Sequence, residues 1–183
     1  MNESAKRLLC TYIQAKDGNR PHLLRQVFAK DAMLDMDVRT EGMRFPAQVS
    51  SGEAIADVLV RQFCATYENI YTFYLAEPPT DAKRFRCSWF VGMTEKASGK
   101  GRVGSGRYDW RFSDTLPLCV TQLGIRIDVM ETLSPFETNH LLGWLSNLPY
   151  PWCAPRALIA SAPRICGLQK AIVDFLPECE VPC

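Results

Sequence analysis

The chain has 183 residues, of which 47 % are hydrophobic and 22 % charged, enough to bury the core of one ordinary domain. Twenty-one Lys and Arg nearly cancel twenty Asp and Glu, so no broad basic field attracts nucleic acid or an anionic membrane. The apolar runs are far shorter than the roughly 20 residues that span a bilayer, and residues 1–6 do not resemble a secretory leader. We therefore expect a cytoplasmic protein with neither a nucleic-acid nor a membrane partner.

The N-terminal part of the chain predicts two helices and a strand. Apolar residues recur at helical spacing from about 3 to 16. Pro21 suits the first position of a second, short helix. Residues 31–38 then alternate between apolar and polar side chains, which is typical of a strand with Asp35 and Asp37 on its polar face.

A third helix and a run of strands follow. Ser50-x-x-Glu53 has the form of a capping box and begins a helix that continues through Phe63. The predicted strands of the meander are 69–77, 84–94, 102–113 and 120–132. The glycine-rich run 99–106 predicts a hairpin rather than a phosphate-binding loop, because a strand follows it and no Lys-Ser or Lys-Thr pair ends it.

The most informative stretch is 107–112, because its alternation sends charged and aromatic side chains to opposite faces of one strand. The charged row is Arg107, Asp109 and Arg111, and the aromatic row is Tyr108, Trp110 and Phe112. If the aromatic row contacts a partner subunit, Asp109 points inward to a cavity; if the rows are reversed, the charged row is a solvated ladder. We favour the first orientation and a homodimer through the sheet face, since an exposed aromatic row is costly in a monomer.

The composition changes after residue 132. A capped helix start follows at Ser134, and prolines then divide the chain into short pieces, of which 165–176 is the best helix. We predict a first domain at 1–133 and a helical, proline-interrupted extension at 134–183. The extension wraps back onto the domain or across a subunit boundary, or it covers a pocket as a lid.

The cysteines do not indicate a metal or a disulfide scaffold. Eight cysteines are scattered without a Cys-x-x-Cys pair, and the chain has only two histidines. We expect free thiols and neither a metal nor a cofactor. The exception is the pair Cys179 and Cys183, which is close enough in sequence to cross-link.

The order of elements over residues 4–133 resembles the nuclear transport factor 2-like fold. That α+β fold is a cone, in which a curved, mostly antiparallel sheet wraps around N-terminal helices. The resemblance extends to the branch of ketosteroid isomerase and the polyketide cyclases (SnoaL-like proteins). Tyr12 on the first helix and Asp109 in Tyr-Asp-Trp-Arg-Phe match the two hydrogen-bond donors of the isomerase's oxyanion hole.

The resemblance implies an internal pocket for a hydrophobic small molecule. The implied catalytic residues are Tyr12, Asp109, Asp35 and Asp37, and the implied ligand contacts are Phe63, Trp89, Arg107 and Arg111. Met36 occupies the position of the family's general base and cannot accept a proton. Three hypotheses therefore stand: an isomerase, cyclase or dehydratase; a non-catalytic binding module; and a dimeric accessory or assembly module whose cone is filled by side chains.

Each of these residues also has an ordinary structural interpretation. Tyr12 equally suits core packing with its hydroxyl at the rim. Asp35 and Asp37 suit the polar face of a half-exposed strand. Trp89 suits sheet packing or a subunit contact.

Overall fold

The structure is a computed structural model that describes residues 4–173, and a single six-stranded sheet forms its centre. The strands are β1 (Phe28–Val38), β2 (Gln48–Ser50), β3 (Tyr67–Tyr74), β4 (Arg84–Glu95), β5 (Gly101–Phe112) and β6 (Val120–Leu133). They lie in the order β2-β1-β6-β5-β4-β3. Neighbouring strands are antiparallel except β1 and β6, which are parallel. The predicted meander is therefore β3 to β6, and the short edge strand β2 was not predicted.

Helices lie on both faces of this sheet. Those before β3 are α1 (Ala5–Asp17), a 3₁₀ helix (Pro21–Gln26), α2 (Gly52–Ala56), a π-helical segment (Asp57–Gln62) and α3 (Phe63–Thr66). Those after β6 are α4 (Pro135–Leu145), α5 (Pro155–Ser161) and α6 (Cys166–Ile172). The third predicted helix is capped by Ser51, one residue later than expected, whose hydroxyl accepts from the Ala54 N–H at 3.2 Å.

The apolar stripe of α1 packs on one face of the sheet, here called the inner face. Leu8, Leu9, Tyr12 and Ile13 are at most 1 % exposed. Because burial of each such side chain is worth about 1.5–3 kcal/mol, this stripe accounts for the position of α1.

Strand β5 turns its aromatic row towards α1. The ring centroid of Tyr12 lies 4.9 Å from that of Trp110 and 6.1 Å from that of Tyr108. The predicted orientation, with Asp109 inward and the aromatic row at a partner subunit, is wrong. Burial of three large aromatic side chains is favourable, whereas burial of three charged ones is costly. The homodimer loses its supporting argument and stays a prediction.

The opposite, outer face of the sheet is partly covered by the helices after β6. Phe73, Phe90 and Val103 pack there against Leu141 and Leu145 of α4. Gly92 makes this approach possible, because a Cβ atom at this position would lie 2.3 Å from a methyl carbon of Leu145. The helices α4 to α6 therefore pack on the sheet, while the division into a domain at 1–133 and an extension at 134–183 stays a prediction.

The loop before α5 also lies along the edge strand β3. The Tyr74 N–H donates to the Pro151 carbonyl at 2.8 Å, and the Cys153 N–H donates to the Tyr74 carbonyl at 3.0 Å. The Trp152 ring stacks on that of Tyr74, with their centroids 4.7 Å apart. These contacts cover an otherwise open sheet edge.

Within residues 4–173, no helix has both the length and the apolar character needed to cross a membrane. The same residues hold no group of three or more His, Cys, Asp or Glu side chains arranged to bind a metal. The six cysteines among them are free thiols. Cys179 and Cys183 lie outside the described residues.

Candidate functional site

The eight predicted site residues divide between two places on opposite faces of the sheet. Tyr12, Phe63 and Trp89 line a cavity on the inner face, and Asp35, Asp37, Arg107 and Asp109 line a groove on the outer face. Arg111 lines neither. The predicted pairing of Tyr12 with Asp109 does not occur, because the strand β5 itself separates the two side chains.

The inner cavity lies between α1, the sheet and the loop 39–47, and has a volume of about 50 Å³. Its lining residues are Tyr12, Lys16, Met36, Met43, Phe45, Leu59, Phe63, Thr72, Trp89, Val91, Met93, Tyr108, Ile125, Ile127 and Met130. Most of them are apolar, and four are methionines. This volume is enough for a few water-sized groups, so side chains fill most of the predicted pocket.

Two buried hydrogen-bond donors of this cavity lack a well-placed acceptor. By distance and angle, neither the Tyr12 hydroxyl nor the Trp89 indole N–H has a hydrogen-bond partner among the described residues, although the Tyr12 hydroxyl interacts with that of Tyr108. Burial raises the pKa of Tyr12 above its ordinary value, although the neighbouring Tyr108 hydroxyl opposes the shift. Tyr12 therefore stays a neutral phenol at physiological pH and keeps its proton to donate.

A buried ion pair adjoins the cavity, which its Lys16 member lines. The Lys16 Nζ donates to Asp17 Oδ1 at 2.6 Å and to Thr72 Oγ1 at 2.7 Å. Asp17 also accepts from the Thr72 N–H at 2.7 Å and from the Tyr150 hydroxyl at 2.9 Å. Because an ammonium carries three donors, Lys16 retains one hydrogen beyond these two bonds, and its Nζ lies over the Phe63 ring of the cavity lining, 5.2 Å from the ring centroid.

Lys16 and Asp17 were not predicted as site residues. A Lys-Asp pair at the end of a helix is usually solvated, and here α1 ends at Asp17. The available signal was spacing: Lys16 follows Tyr12 by four residues, which places both on one helix face. Lys16 is only 6 % exposed.

Among residues 4–173, none of the side chains that line the inner cavity is a carboxylate or an imidazole. Met36 faces it, while its neighbours Asp35 and Asp37 face the other side of the sheet, as the strict alternation of a strand requires. The cavity therefore offers donors and apolar surface but lacks the carboxylate base that the isomerase chemistry needs.

The outer groove has a volume of about 760 Å³ and crosses β1, β6, β5 and β4 on the part of the outer face that α4 to α6 leave uncovered. Its polar lining residues are Asp35, Asp37, Gln48, Arg86, Ser88, Arg107, Asp109 and Arg126, and Gly124 lies among them.

The acidic side chains of the groove have partners. Asp109 accepts from Arg84 and from the Arg86 Nε, the latter at 2.9 Å. Hydrogen bonding from Arg84 holds the pKa of Asp109 below its ordinary value, partly opposed by desolvation. Asp35 accepts from the amides of Gln48 and Gln122 at 2.8 and 2.7 Å. Asp109 is therefore an ionised ion-pair partner, the alternative to the neutral donor that the resemblance implied.

No protein-family model and no curated protein matches this sequence. Solved structures do match its fold. A nuclear transport factor 2 superfamily protein from Salmonella enterica serovar Typhimurium is 12 % identical, with a TM-score of 0.53 over 70 % of this chain and 88 % of that one.

Two further solved structures are similar to this chain in fold. Hexachlorocyclohexane dehydrochlorinase LinA-type3 from Novosphingobium barchaimii is 12 % identical, with a TM-score of 0.54 over 69 % of this chain and 86 % of that one. A protein from Catenulispora acidiphila with a ketosteroid isomerase-like fold, solved with trimethylamine, is 15 % identical. Its TM-score is 0.51 over 64 % of this chain and 82 % of that one.

At these identities the similarity concerns the fold. The chain has the α+β nuclear transport factor 2-like fold, with a curved sheet around an N-terminal helix and helices after the last strand. The fold predicted from the sequence is thus confirmed. Because proteins with this fold have many unrelated functions, the function of this chain has to be argued from its site.

Proposed function

We propose that the inner cavity binds a small, mostly apolar molecule that carries an oxygen able to accept hydrogen bonds. The observation that carries the proposal is a pair of buried donors in one apolar cavity, Tyr12 Oη and Trp89 Nε1, to which residues 4–173 offer no acceptor of hydrogen-bond geometry. Leaving a buried donor unsatisfied costs about 1–3 kcal/mol. A ligand oxygen that accepts from either donor would recover part of this free energy.

The composition of the cavity defines the class of ligand. Tyr12, Trp89 and the remaining hydrogen of Lys16 all donate, and the rest of the lining is mainly aliphatic, aromatic or methionine. A ketone, ether or similar compound meets these requirements. A ligand that offers only donors does not, because the indole N–H cannot accept a hydrogen bond.

The volume of the cavity limits the ligand or requires the lining to move. About 50 Å³ suits a molecule of a few heavy atoms. A larger ligand requires rearrangement of Met36, Met43, Met93 and Met130, whose unbranched side chains repack more easily than branched ones. Met43 and Phe45 come from the loop 39–47, so this loop is the part of the lining that can move without breaking a strand or a helix.

Binding without catalysis is the form of the proposal that the residues support. Proton abstraction beside a carbonyl needs a base within hydrogen-bond reach, and the lining of the cavity contains no carboxylate or imidazole. Asp35 and Asp37, the residues considered for proton transfer, and Asp109, matched to an oxyanion-hole donor, lie in the outer groove.

The test compares two ligands of one shape, cyclopentanone and cyclopentane. We expect the ketone to bind about tenfold more tightly, because it gains a hydrogen bond to a buried donor worth about 1.4 kcal/mol. The readout is the ¹⁵N–¹H signal of the Trp89 indole, which should shift on titration with the ketone. The Trp110 indole is an internal reference, because its N–H is also buried without a partner but does not line the cavity.

Tyr12→Phe separates binding from packing. The variant should reduce the preference for the ketone, because Trp89 and Lys16 remain as donors, while the free energy of unfolding of the free protein stays unchanged or rises by about 1 kcal/mol. Tyr74→Phe is the matched control, since this buried hydroxyl already donates to the Leu9 carbonyl at 3.1 Å. The control should lose stability and keep the preference. Equal affinities for the two ligands in the wild-type protein would refute the proposal.

A further inference from the structure

We propose that the outer groove is a second binding site, and that it takes a small organic anion with carboxylate or phosphate groups. The groove lies on the opposite face of the sheet from the inner cavity and shares only the Met36, Tyr108 and Ile125 positions with its lining. The inference is therefore independent of the function proposed for the inner cavity.

The first observation is a pair of like charges placed directly opposite each other. Arg107 on β5 is the cross-strand partner of Arg126 on β6. Such pairs have Cβ atoms about 4.5–5.5 Å apart, and like charges in this position destabilise a sheet. An oxyanion between the two guanidinium groups turns this repulsion into two favourable contacts.

The second observation is that donors remain available after the internal contacts are counted. Among residues 4–173, the Arg107 guanidinium has no hydrogen-bond or ion-pair partner. Arg126 uses its Nε to bind Asp128 at 2.9 Å, and Arg86 uses its Nε to bind Asp109 at 2.9 Å. A guanidinium has five N–H donors, so the Nη groups of both remain free for bidentate recognition of an oxyanion.

None of the acidic residues that line the groove is paired with Arg107 or Arg126. Asp109 is shared by Arg84 and Arg86. Asp35 is held by two glutamine amides, and Asp37 is paired with Arg39 at 2.8 Å on the far side of the groove. Asp35 and Asp37 lie on β1, two strands away from Arg107, which is about 10 Å at the usual strand spacing.

The shape of the groove suits a molecule rather than a single ion. Gly124, the cross-strand partner of Asp109, contributes no side chain to the floor between the two acidic regions. A volume of about 760 Å³ falls in the range of small-molecule sites. An organic anion can therefore place its charged group against Arg107 and Arg126 while the rest of it lies over Gly124.

The test is a titration with inorganic phosphate and with citrate at fixed ionic strength, because surface charges are screened by salt. The readout is the set of arginine Nε–H signals in ¹⁵N–¹H spectra. We expect saturable shifts at Arg107 and Arg126, with a citrate Kd below about 1 mM. Tighter binding of citrate than of phosphate identifies carboxylates as the preferred group, and the reverse order identifies phosphates.

Arg107→Gln should weaken binding of the preferred anion by about five- to tenfold, the loss of one charge-assisted contact at a partly exposed site. Arg111→Gln is the matched control: Arg111 is exposed on the same face of β5 and equally unpaired within 4–173, but lies outside the groove. It should change the affinity less than twofold. Equal losses in both variants, or no saturation in the wild-type protein, would mean that only general surface charge acts and would overturn the proposal.

Gly124→Ala provides an independent check on shape. A Cβ atom there would lie 3.4 Å from the Asp109 Cβ, an ordinary contact, so the variant should fold. We expect Gly124→Ala to weaken the binding of citrate more than that of inorganic phosphate, because the added methyl group occupies space that the larger molecule needs. Tyr12→Phe should leave both affinities unchanged. A change there would contradict the independence of the two sites.

Discussion

The inner cavity and the outer groove differ in almost every physical property. The cavity is small and apolar, and its orphan donors, Tyr12 and Trp89, are buried. The groove is fifteen times larger by the volumes of 760 and 50 Å³, and its free donor, Arg107, is open to water. An unpaired donor costs little in water and about 1–3 kcal/mol when buried. Volume alone is therefore a poor guide to function here, and the small cavity carries the stronger argument for a ligand.

The largest expected effect is alkaline unfolding driven from the inner face. Burial raises the pKa of Tyr12, Tyr74 and Tyr108 above the ordinary value. Since the folded state favours the neutral phenols, their contribution to stability is complete below a pH of about 10 and is lost as pH rises above it. We expect cooperative unfolding between a pH of about 10 and 12. Tyrosinate absorbance and circular dichroism should change together; ionisation of these phenols in a folded protein would contradict the burial argument.

The two rows of β5 should respond very differently to truncation. Trp110 is fully buried, and Trp110→Ala should lower the free energy of unfolding by about 3–5 kcal/mol. Arg111, its exposed neighbour on the opposite face, should change stability by less than about 0.5 kcal/mol when replaced by Ala. Urea denaturation measures both. Similar effects at the two positions would mean that the strand has the other orientation.

Loss of the buried Lys16–Asp17 ion pair beside the cavity should lower the free energy of unfolding more than loss of the partly exposed ion pairs of Asp109 in the groove. Lys16→Met leaves the Asp17 carboxylate, 4 % exposed, without its cation. Removing one partner of a buried pair costs about 3 kcal/mol. The double variant Lys16→Met/Asp17→Asn should recover part of this loss, and a double-mutant cycle from chemical denaturation measures the coupling. No recovery in the double variant would indicate that Lys16 acts through packing alone.

The smallest expected effect is at Asp109. Its pKa is lowered, mainly by Arg84, so its contribution to stability is present at neutral pH and is lost as pH falls through the lowered value. Asp109→Asn should cost less than about 1 kcal/mol at neutral pH, because the ion pair is partly exposed. The difference from wild type should disappear in acid, which stability measurements across the acid range can detect. A loss of several kcal/mol would place Asp109 in the core after all.

Much of the fold could be predicted because its elements carry strong local signals. The stripe of α1, the capped start of α4 and the long alternating strands all indicate their structure within a few residues. The edge strand β2 has three residues, of which only Val49 is apolar, so its existence depends on pairing with β1 at Asp35 and its neighbours. The parallel pairing of β1 with β6 is likewise a contact between distant parts of the chain.

Many residues of the candidate sites could be predicted from the sequence, but their positions in the fold could not. The sequence brings Arg107, Asp109, Asp35 and Asp37 into consideration, and they do share one groove. Lys16 and Asp17 could not be predicted as site residues because their burial depends on distant parts of the chain. Thr72 lies 55 residues after Asp17, and Tyr150 lies 133 residues after it.

The sequence by itself determined the two faces of β5, since the alternation of charge and aromatic rings is a property of the residue order. Which face is buried was decided only by tertiary structure. The answer depends on the free energy of packing Tyr108 and Trp110 against Tyr12 of α1, and that contact joins residues about a hundred positions apart in a chain whose alternation suits either orientation equally.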